Sequence, residues 1–375
     1  MNISSAFDSG NIICDSCDDP SNVQLRIRVD NESHFFQWFH FRVTGAADQA
    51  CCFHLTNASE AAYLEGWDDY QAVASYDRDH WFRVPTSYDD GVLKIEHEPA
   101  LDSVWYAYFA PYSMERHLDL VATAAQGDGV RYEHLGHTLD GQDMDLLVIG
   151  EETPDKRKCW FIARQHPGET MAEWWMEGFL DRLLDADEPI ARELLKKAVF
   201  YVVPNMNPDG SRRGHLRTNA VGVNLNRAWS DASTDQSPEV FFVKQRMKQA
   251  GVDFALDVHG DEALPYNFIA GAEGVGGWTA RLDQLTEAFK SMYVTANPDF
   301  QTEFGYGRDE PGSSDLRKAT DYIAETFDCL SMTLEMPFKD NANAPDEITG
   351  WSPARCRLLG ASVLDPLYRL IDDLR

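Results

Sequence analysis

Apolar and polar residues alternate with a period of two in several short segments of the first 115 residues. This period is typical of β-strands that bury one face. Asn, Asp, Gly and Pro residues separate the segments, as expected for turns between strands. We therefore predict an antiparallel β-sandwich for residues 1–115, with strands near residues 24–29, 34–43, 52–55, 81–84 and 92–95.

From residue 116 onwards, apolar runs of strand length alternate with helical patterns. In residues 170–184, Ala172, Trp175, Phe179 and Leu183 recur at the spacing of one helix face. Such alternation predicts an α/β domain over residues 116–375, with a mixed, mostly parallel sheet and helices on both faces. We predict strands at 146–149, 159–163, 199–203, 254–258 and 330–334, and helices at 170–184, 238–250, 278–291 and 353–374.

The net charge of the chain limits the classes of partner that it can bind. Among 375 residues, 33 are basic and 62 acidic, which gives a formal net charge of −29. So acidic a surface repels phosphate backbones and anionic membranes, and it argues against nucleic acid or a membrane as a partner. No apolar run approaches the roughly 20 residues of a membrane span, and the N-terminus lacks a signal-peptide pattern. We expect a cytoplasmic protein, and the sequence leaves its oligomeric state open.

The seven cysteines are an odd number for a disulfide framework, and we expect reduced thiols. Cys14 and Cys17 have a C-x-x-C spacing, and Cys51 and Cys52 are adjacent. A zinc site built from all four is one alternative, although adjacent cysteines suit a single tetrahedral ion poorly. Histidines and carboxylates later in the chain are better candidates for a metal site.

Two histidines and a glutamate follow predicted strands at positions suited to a metal. His166 and Glu169 lie in the turn after the strand at 159–163, and His259 directly follows the strand at 254–258. Open α/β sheets bind their ligands at the carboxyl ends of strands. One carboxylate and two imidazoles are the protein ligands of a catalytic zinc that keeps one position open for water. The sequence therefore predicts a zinc hydrolase.

Further polar residues would complete a hydrolytic site. Arg217, Asn226 and Arg227 lie in a segment rich in Asn, Pro and Gly, and guanidinium groups bind carboxylates in bidentate fashion. Anion recognition is thus a candidate role, with solvated surface arginines as the alternative. Glu335 ends a predicted strand and is either a general base or a solvated carboxylate. Asp257 lies on the same strand face as His259 and is a candidate partner for a ligand histidine.

In order along the chain, six pieces closely resemble the motifs of zinc metallocarboxypeptidases of the carboxypeptidase A type: His166-Pro167-Gly168-Glu169, Asn207-Pro208-Asp209-Gly210, Arg217, Asn226-Arg227, His259 and Thr333-Leu334-Glu335. More narrowly, the chain resembles the cytosolic carboxypeptidase subfamily, in which a β-sandwich precedes the peptidase domain. Residues 83–86 and 108–112 are similar to the N-domain signatures of that subfamily. The resemblance covers nearly the whole chain and implies a carboxypeptidase-like fold.

The resemblance also implies roles for the matching residues. His166, Glu169 and His259 would bind one zinc ion per chain, and Asn226 with Arg227 would hold the C-terminal carboxylate of a peptide or protein substrate.

Arg217 would polarise the scissile carbonyl group. Glu335 would activate the zinc-bound water as general base and then protonate the leaving amine. The chain is thus expected to be a metallocarboxypeptidase, active without removal of a pro-segment.

Two parts of the family pattern have no clear counterpart in this sequence. The mobile tyrosine that covers the substrate is not placed by the motifs, although Tyr306 and Tyr322 lie in the right region. Relatives that remove glutamates carry basic residues before the general base, and Arg308, Arg317 and Lys318 are the candidates here. Acidic, glutamate-ending C-termini are therefore a candidate substrate class.

Two other functions remain as alternatives. A zinc amidohydrolase of small acyl-amino acids would share the first His-x-x-Glu and the second histidine, but it should lack the Asn226-Arg227 pair. An inactive binding module should lack a metal ligand or the base, and all of these residues are present.

Overall fold

The computed structural model describes residues 1–374, and its first region is a sandwich of two β-sheets. Its strands are β1 (Asn2–Ser4), β2 (Ile13–Ser16), β3 (Val23–Arg26), β4 (His40–Thr44), β5 (Cys51–Leu55), β6 (Val73–Ser75), β7 (Phe82–Arg83), β8 (Thr86–Asp89), β9 (Val92–His97) and β10 (Ser103–Ala107). The strand orders are β1-β4-β10-β6-β7 and β2-β3-β5-β9-β8. The predicted antiparallel sandwich is confirmed, with β3 and β5 as a parallel pair inside it.

Aromatic side chains join the two sheets of the sandwich. Phe41 on β4, Phe53 on β5 and Tyr106 on β10 are fully buried. The ring of Phe53 lies 5.6 Å from that of Phe41 and 4.9 Å from that of Tyr106, measured between ring centroids. Since Phe53 belongs to one sheet and the other two rings to the second, these contacts form the sandwich core. Alternate residues of β5 turn inward, which is the period-two pattern of the sequence.

The second region is a mixed α/β layer structure. Its strands are β11 (Val130–His137), β12 (Asp143–Ile149), β13 (Arg157–Ala163), β14 (Ala198–Val203), β15 (Phe254–Val258), β16 (Phe268–Ala270) and β17 (Leu330–Glu335). Its helices are α1 (Met114–Ala124), α2 (Met171–Leu183), α3 (Pro189–Lys197), α4 (Pro208–Arg213), α5 (Pro238–Ala250), α6 (Ala280–Ala296), α7 (Ala319–Phe327), α8 (Pro353–Ser362) and α9 (Leu364–Leu370). The domain boundary at residue 115 stays a prediction.

The sheet of the second region has the strand order β11-β12-β14-β13-β15-β17-β16. Its centre, β14-β13-β15-β17, is parallel, and the strands at both edges pair antiparallel. This arrangement confirms the predicted mixed sheet. It also places the carboxyl ends of β13, β15 and β17 side by side at one edge of the sheet.

Helices cover both faces of this sheet, as predicted. On one face, Phe161 of β13 stacks on Phe179 of α2 at 4.3 Å, and Phe254 of β15 lies 5.6 Å from Phe289 of α6. On the other face, Trp160 belongs to a buried cluster that includes residues of α5 and α7. Within residues 1–374, none of the helices combines the length and apolar character that crossing a membrane would require.

The prediction of one terminal helix over residues 353–374 is wrong in one respect. The helix is interrupted between α8 and α9, at Val363. Pro366 has no backbone N–H, so the carbonyl of Ser362 cannot receive the hydrogen bond that would continue the helix. The apolar period runs on across the interruption, because Leu359, Val363 and Leu367 are all buried.

Candidate metal centre and active site

Three predicted ligand side chains meet at the carboxyl ends of β13 and β15. Nδ1 of His166 lies 2.6 Å from Oε1 of Glu169, and Nδ1 of His259 lies 2.8 Å from Oε2 of Glu169. The two Nδ1 atoms are 3.2 Å apart, and all three side chains are buried. Residues 93 positions apart in the chain thus converge on one point because their strands are parallel neighbours.

The turn between His166 and Glu169 is held from two sides. Arg164, at φ +58°, folds its guanidinium back to donate to the carbonyl of Pro167 at 2.9 Å and pairs with Glu173. A Cβ atom on Gly168 would lie 2.9 Å from the carbonyl oxygen of Leu216, so this position requires glycine. The N–H of Gly168 donates to that same oxygen at 2.9 Å. The turn is thereby fixed against the loop that follows α4.

The second ring nitrogen of each histidine faces an oxygen acceptor. Nε2 of His166 lies 3.0 Å from Oδ1 of Asn224, and Nε2 of His259 lies 2.8 Å from Oδ2 of Asp257. These acceptors favour a proton on each Nε2, so that in the neutral imidazoles that bind a metal the lone pair of each Nδ1 would point towards Glu169. Two neutral imidazoles and a carboxylate are a donor set that zinc prefers. The cluster therefore fits a zinc ion.

The charges in this cluster favour a cation. Burial and the nearby Arg217 guanidinium lower the pKa of His166 to about 4. Burial opposes the ionisation of Glu169, but His166 and His259 together bring its pKa below the ordinary value. Burial also disfavours charge on His259, yet Asp257 and Glu169 raise the pKa of His259 well above its ordinary value. The buried carboxylates of Glu169 and Asp257 thus need a neighbouring positive charge to remain ionised, and a divalent metal ion provides it.

A cavity of about 430 Å³ opens beside these residues, and Arg217, Asn226 and Arg227 line it. The guanidinium of Arg227 donates to the carbonyl of Asn226 at 2.6 Å, and within residues 1–374 it forms no ion pair with a carboxylate. Burial and the repulsion of Arg217 lower the pKa of Arg227. The amide oxygen of Asn226 accepts from the N–H of Ala319, which anchors this turn to α7. The cavity therefore presents positive charge that an anionic group would neutralise.

Arg217 is held by residues of the N-terminal sandwich. The carboxylate of Asp30 accepts hydrogen bonds from three successive backbone N–H groups, those of residues 216–218, at 2.7, 2.8 and 3.0 Å. The guanidinium carbon of Arg217 lies 5.6 Å from the ring centroid of Phe35 and 5.3 Å from that of Tyr63. Its Nε atom is buried and has no hydrogen-bond partner in the described part of the chain. The sandwich thus shapes one wall of the cavity.

Glu335, the last residue of β17, faces the metal-site cluster. It is 7% exposed, and its Oε2 atom has no hydrogen-bond partner among residues 1–374. Burial, opposed by His259 and reinforced by the carboxylates of Glu169 and Asp261, raises the pKa of Glu335 well above its ordinary value. A carboxyl group in such surroundings holds a proton more readily than a solvated one, which suits a group that must accept and release protons.

The structure distinguishes between the two candidate tyrosines. The hydroxyl of Tyr306 donates to Oδ2 of Asp261 at 2.6 Å and lies 3.3 Å from Oε1 of Glu335, and the residue as a whole is 53% exposed. Tyr322 instead packs against Trp229, on the other side of the sheet. Of these two candidates, Tyr306 is therefore the one that borders the cavity.

The three basic residues that could bind an acidic substrate side chain differ in whether a carboxylate already pairs with them. Arg308 pairs with Asp283 at 2.5 Å, and Arg317 pairs with Asp315 at 2.8 Å. Arg308 and Lys318 both line the cavity, and Lys318 forms no ion pair among the described residues. Carboxylates line the same cavity, namely Glu273, Glu287, Asp309 and Asp321. The part of the cavity that would receive the C-terminal side chain of a substrate is therefore polar, with charges of both signs.

Several residues of the site were missed by sequence reasoning. Asp30 and Tyr63 belong to another domain, and no local pattern connects them to Arg217. Asn224 stands two residues before the Asn226-Arg227 pair, and this proximity could have indicated that it belongs to the site. Glu262 lines the cavity, and burial together with Glu169 raises its pKa to about 8.

Comparisons with known proteins agree with this geometry. Residues 3–109 match the family model of the cytosolic carboxypeptidase N-terminal domain, and residues 114–350 match that of zinc carboxypeptidases. An uncharacterised protein of Zymomonas mobilis is 52% identical over 374 residues, which cover 100% of this chain and 97% of that protein. Mouse cytosolic carboxypeptidase 6 is 27% identical over 72% of this chain, and the match spans 55% of the mouse protein.

Solved structures of bacterial proteins are also similar. A metallo-carboxypeptidase from Pseudomonas aeruginosa, in complex with (2-guanidinoethylmercapto)succinic acid, is 48% identical, with a TM-score of 0.98 and coverage of 100% of both chains. A metallo-carboxypeptidase from Burkholderia cenocepacia is 48% identical, with a TM-score of 0.97 and coverage of 99% of both chains. The similarity to both extends over the sandwich and the α/β region together.

Proposed function

We propose, since the chain belongs to the zinc carboxypeptidase family and carries a cytosolic carboxypeptidase N-terminal domain, that it removes C-terminal residues from peptides or proteins within this cavity. As a metallocarboxypeptidase it hydrolyses the last peptide bond of its substrate, so the site must recognise a free α-carboxylate. The assignment of roles to residues rests on two guanidinium groups, those of Arg217 and Arg227, which lie beside the metal-site cluster.

His166, Glu169 and His259 would hold one zinc ion per chain. When bound, zinc supplies Lewis-acid polarisation and lowers the pKa of a water ligand. Asn224 and Asp257 would keep the two imidazoles in the orientation that binding requires.

Arg227 and Asn226 would bind the α-carboxylate of the substrate. An unpaired guanidinium in a partly desolvated cavity gains more from a carboxylate than a solvated one does. A peptide that ends in an amide, or an internal peptide bond, offers no such anion at this depth. The pair therefore supports cleavage at a free C-terminus over cleavage of internal peptide bonds.

Glu335 would act as the general base and Arg217 as the oxyanion donor. Glu335 takes a proton from the attacking water and passes it to the amine nitrogen as the C–N bond breaks. The Arg217 guanidinium stabilises the negative charge that develops on the carbonyl oxygen. The raised pKa of Glu335 supports this role, because it lets the carboxyl group hold the proton between the two transfers.

We assign the preference for the C-terminal side chain to Lys318 and propose that glutamate is accepted. Arg308 and Lys318 both line the cavity, but Arg308 pairs with Asp283, whereas Lys318 is half-buried and forms no ion pair among residues 1–374. Arg317 pairs with Asp315. A glutamate side chain that met Lys318 would form a charge-assisted pair within the substrate complex.

A basic C-terminal residue is the second candidate substrate. Glu273 is 9% exposed, lines the same cavity, and makes no hydrogen bond with any group in residues 1–374. A guanidinium or ammonium group would satisfy it. The Pseudomonas aeruginosa enzyme, 48% identical, was solved with a ligand that carries both a guanidino and a succinic acid group.

Peptides that differ only in their last residue separate these candidates. The panel ends in Glu, Gln, Lys, Arg or Phe, and each peptide is tested as free acid and as amide. We expect release from free acids only, with Glu preferred and with Lys318→Met lowering kcat/KM for Glu over Gln by about 10- to 100-fold. Preference for Arg and Lys that Glu273→Gln abolishes would instead support the second candidate. Equal hydrolysis of the amides would refute the carboxylate anchor.

We further propose that the two domains meet near residue 115 and that the protein is cytoplasmic. The gap between the two matched family regions, at residues 109 and 114, supports the boundary. Relatives named cytosolic carboxypeptidases support the location.

A further inference from the structure

A second cluster of metal-binding side chains lies on the exposed hairpin formed by β11 and β12, outside the catalytic cavity. Nε2 of His134 lies 3.2 Å from Oδ1 of Asp143, and Nδ1 of His137 lies 3.1 Å from the same oxygen. The three ligand atoms lie within 4.8 Å of one another. We propose that His134, His137 and Asp143 bind a divalent transition-metal ion such as Zn²⁺.

A β-bulge brings the two histidines to the same side of the hairpin. Side chains three residues apart in a regular strand point to opposite faces. Here His134 lies opposite Asp145 and His137 opposite Asp143, so β11 has one residue more than β12 between the two pairs. The extra residue restores a common orientation for both histidines. Because of the bulge, two histidines three residues apart can face the same side of the hairpin and bind one ion.

The bulge depends on a glycine. Gly136 has φ +156°, and a Cβ atom there would lie 2.4 Å from the ring of Phe242 on α5. A side chain at this position would require the ring of Phe242 to move. The bulge thus sets the backbone positions from which His134 and His137 project.

The donor set suits a transition metal. Two imidazole nitrogens and a carboxylate oxygen are ligands for Zn²⁺, Ni²⁺ or Cu²⁺, and ligand atoms about 2.0 Å from one tetrahedral ion lie roughly 3.3 Å apart. The measured separations of 3.1 and 3.2 Å from Asp143 are close to that value. The side chains are 38% to 63% exposed, so water would complete the coordination and the affinity would be lower than in the buried catalytic cluster. A net charge of −29 attracts cations to this surface.

The same contacts would also arise from a metal-free ion pair between the imidazoles and Asp143. A second exposed pair in the protein provides the matched control: His80 and Asp77 are 2.8 Å apart but lack a further histidine. A site that needs both His134 and His137 must lose metal when either is changed, whereas changing His80 must have no effect.

Metal stoichiometry of the zinc-loaded enzyme tests the proposal. The protein is dialysed against buffered Zn²⁺ up to millimolar free concentration, and bound zinc is counted by mass spectrometry for wild type, His134→Gln, His137→Gln, Asp143→Asn and His80→Gln. We expect a second zinc per chain in wild type and His80→Gln. In the other variants its affinity should fall by at least the roughly 10- to 100-fold that loss of an outer partner costs. The first zinc and peptide hydrolysis should be retained throughout, which also shows that the variants fold.

Copper provides an independent readout of ligand identity. In the zinc-loaded enzyme, one equivalent of Cu²⁺ should give an electron paramagnetic resonance spectrum with coupling to imidazole nitrogen, and this coupling should be reduced in His137→Gln. A wild-type protein that binds a single zinc at every concentration would overturn the proposal, and so would a second ion that both histidine variants retain.

Discussion

The backbone N–H of Arg217 donates a 2.8 Å hydrogen bond to the carboxylate of Asp30, which lies 187 residues earlier in the chain and in the other domain. Asp30 is 2% exposed and also accepts from the hydroxyl of Thr218 at 3.1 Å. A carboxylate that accepts several N–H groups fixes the path of the backbone it binds. The position of the proposed oxyanion donor is thus set from outside the peptidase domain.

Asp30→Asn should therefore impair catalysis at a distance from the reacting atoms. An amide presents N–H groups where the loop needs acceptors, and displacement of a catalytic group by about 1 Å can cost on the order of 100-fold in rate. We expect kcat to fall by about that factor while zinc content is kept. Steady-state kinetics below the unfolding temperature measure this, with the exposed Asp19→Asn as control. An unchanged kcat in folded Asp30→Asn protein would show that Arg217 is held by other contacts.

Glu335→Gln should separate metal binding from turnover. The variant keeps a side chain of the same shape, but it cannot take a proton from water, so the rate should fall by about 100- to 10,000-fold. Zinc content should match wild type, because Glu335 is not one of the three proposed ligands. Mass-spectrometric zinc counts and single-turnover peptide release check both statements. Normal turnover would remove Glu335 from the mechanism.

Arg227→Lys tests the carboxylate anchor with charge conserved. Lysine cannot offer the planar, bidentate donors of the guanidinium, and loss of a hydrogen bond to a charged group costs about 1.5–3 kcal/mol. We expect kcat/KM to fall accordingly for every free-acid peptide, whatever its last side chain. Arg317→Lys, an exposed arginine paired with Asp315, is the control. An effect confined to one type of last residue would place Arg227 in the side-chain subsite instead.

Removal of the metal should lower both activity and stability. A chelator should abolish peptide release, and Zn²⁺ should restore it. A ligand that binds only the folded state stabilises it by mass action, so the metal-free protein should unfold at a lower temperature. Calorimetry of the metal-free and zinc-loaded proteins measures the difference. Equal unfolding temperatures, with zinc shown to be bound, would contradict the assignment of His166, Glu169 and His259 as a folded-state site.

His117 should make stability depend on pH. Burial disfavours its charge, but the adjacent carboxylates of Glu173, at 2.7 Å, and Asp145, at 2.9 Å, raise the pKa of His117 to about 9 from an ordinary 6.5. The charged form is therefore preferred in the folded state. Its stabilisation is complete below about pH 6.5 and is lost as the pH rises through about 9, by about 3 kcal/mol in total.

Urea unfolding of wild type and His117→Gln across this pH range measures that contribution. The difference in unfolding free energy between the two proteins should shrink as the pH rises from about 6.5 to beyond 9. Using the difference cancels the titration of groups elsewhere in the chain. A constant difference would mean that His117 carries no extra proton in the folded protein.

Elements with strong local signals were predictable from the sequence. The helix at 238–250 has the predicted bounds, because Pro238 suits a first turn and Gly251 ends the helix at φ +82°. The strand at 254–258 also matches, since it is a fully buried apolar run between polar segments. In the site, His166 and His259 could be predicted as candidates because His166 lies in the turn after such a strand and His259 directly follows one.

Residues placed by tertiary contacts alone could not be predicted. β11 is mostly exposed, and the alternation of Val130 and Tyr132 does not continue to Leu135, so neither the strand nor the bulge at Gly136 was predicted. Tyr306 lies in an irregular segment between α6 and α7, where periodicity carries no information. Asp30 acts on a loop far away in sequence, and only the packing of two domains brings them together.

The contacts of Phe35 and Tyr63 with Arg217 affect which gene segments of this enzyme can be exchanged by recombination. A gene fragment that encoded the peptidase region alone would lose these rings together with the carboxylate that shapes the loop. Recombination can therefore exchange the two segments only between lineages whose junction residues match. Substitutions at the contact between the sandwich and the peptidase region are therefore coupled, because a change on one side alters the fit of the other.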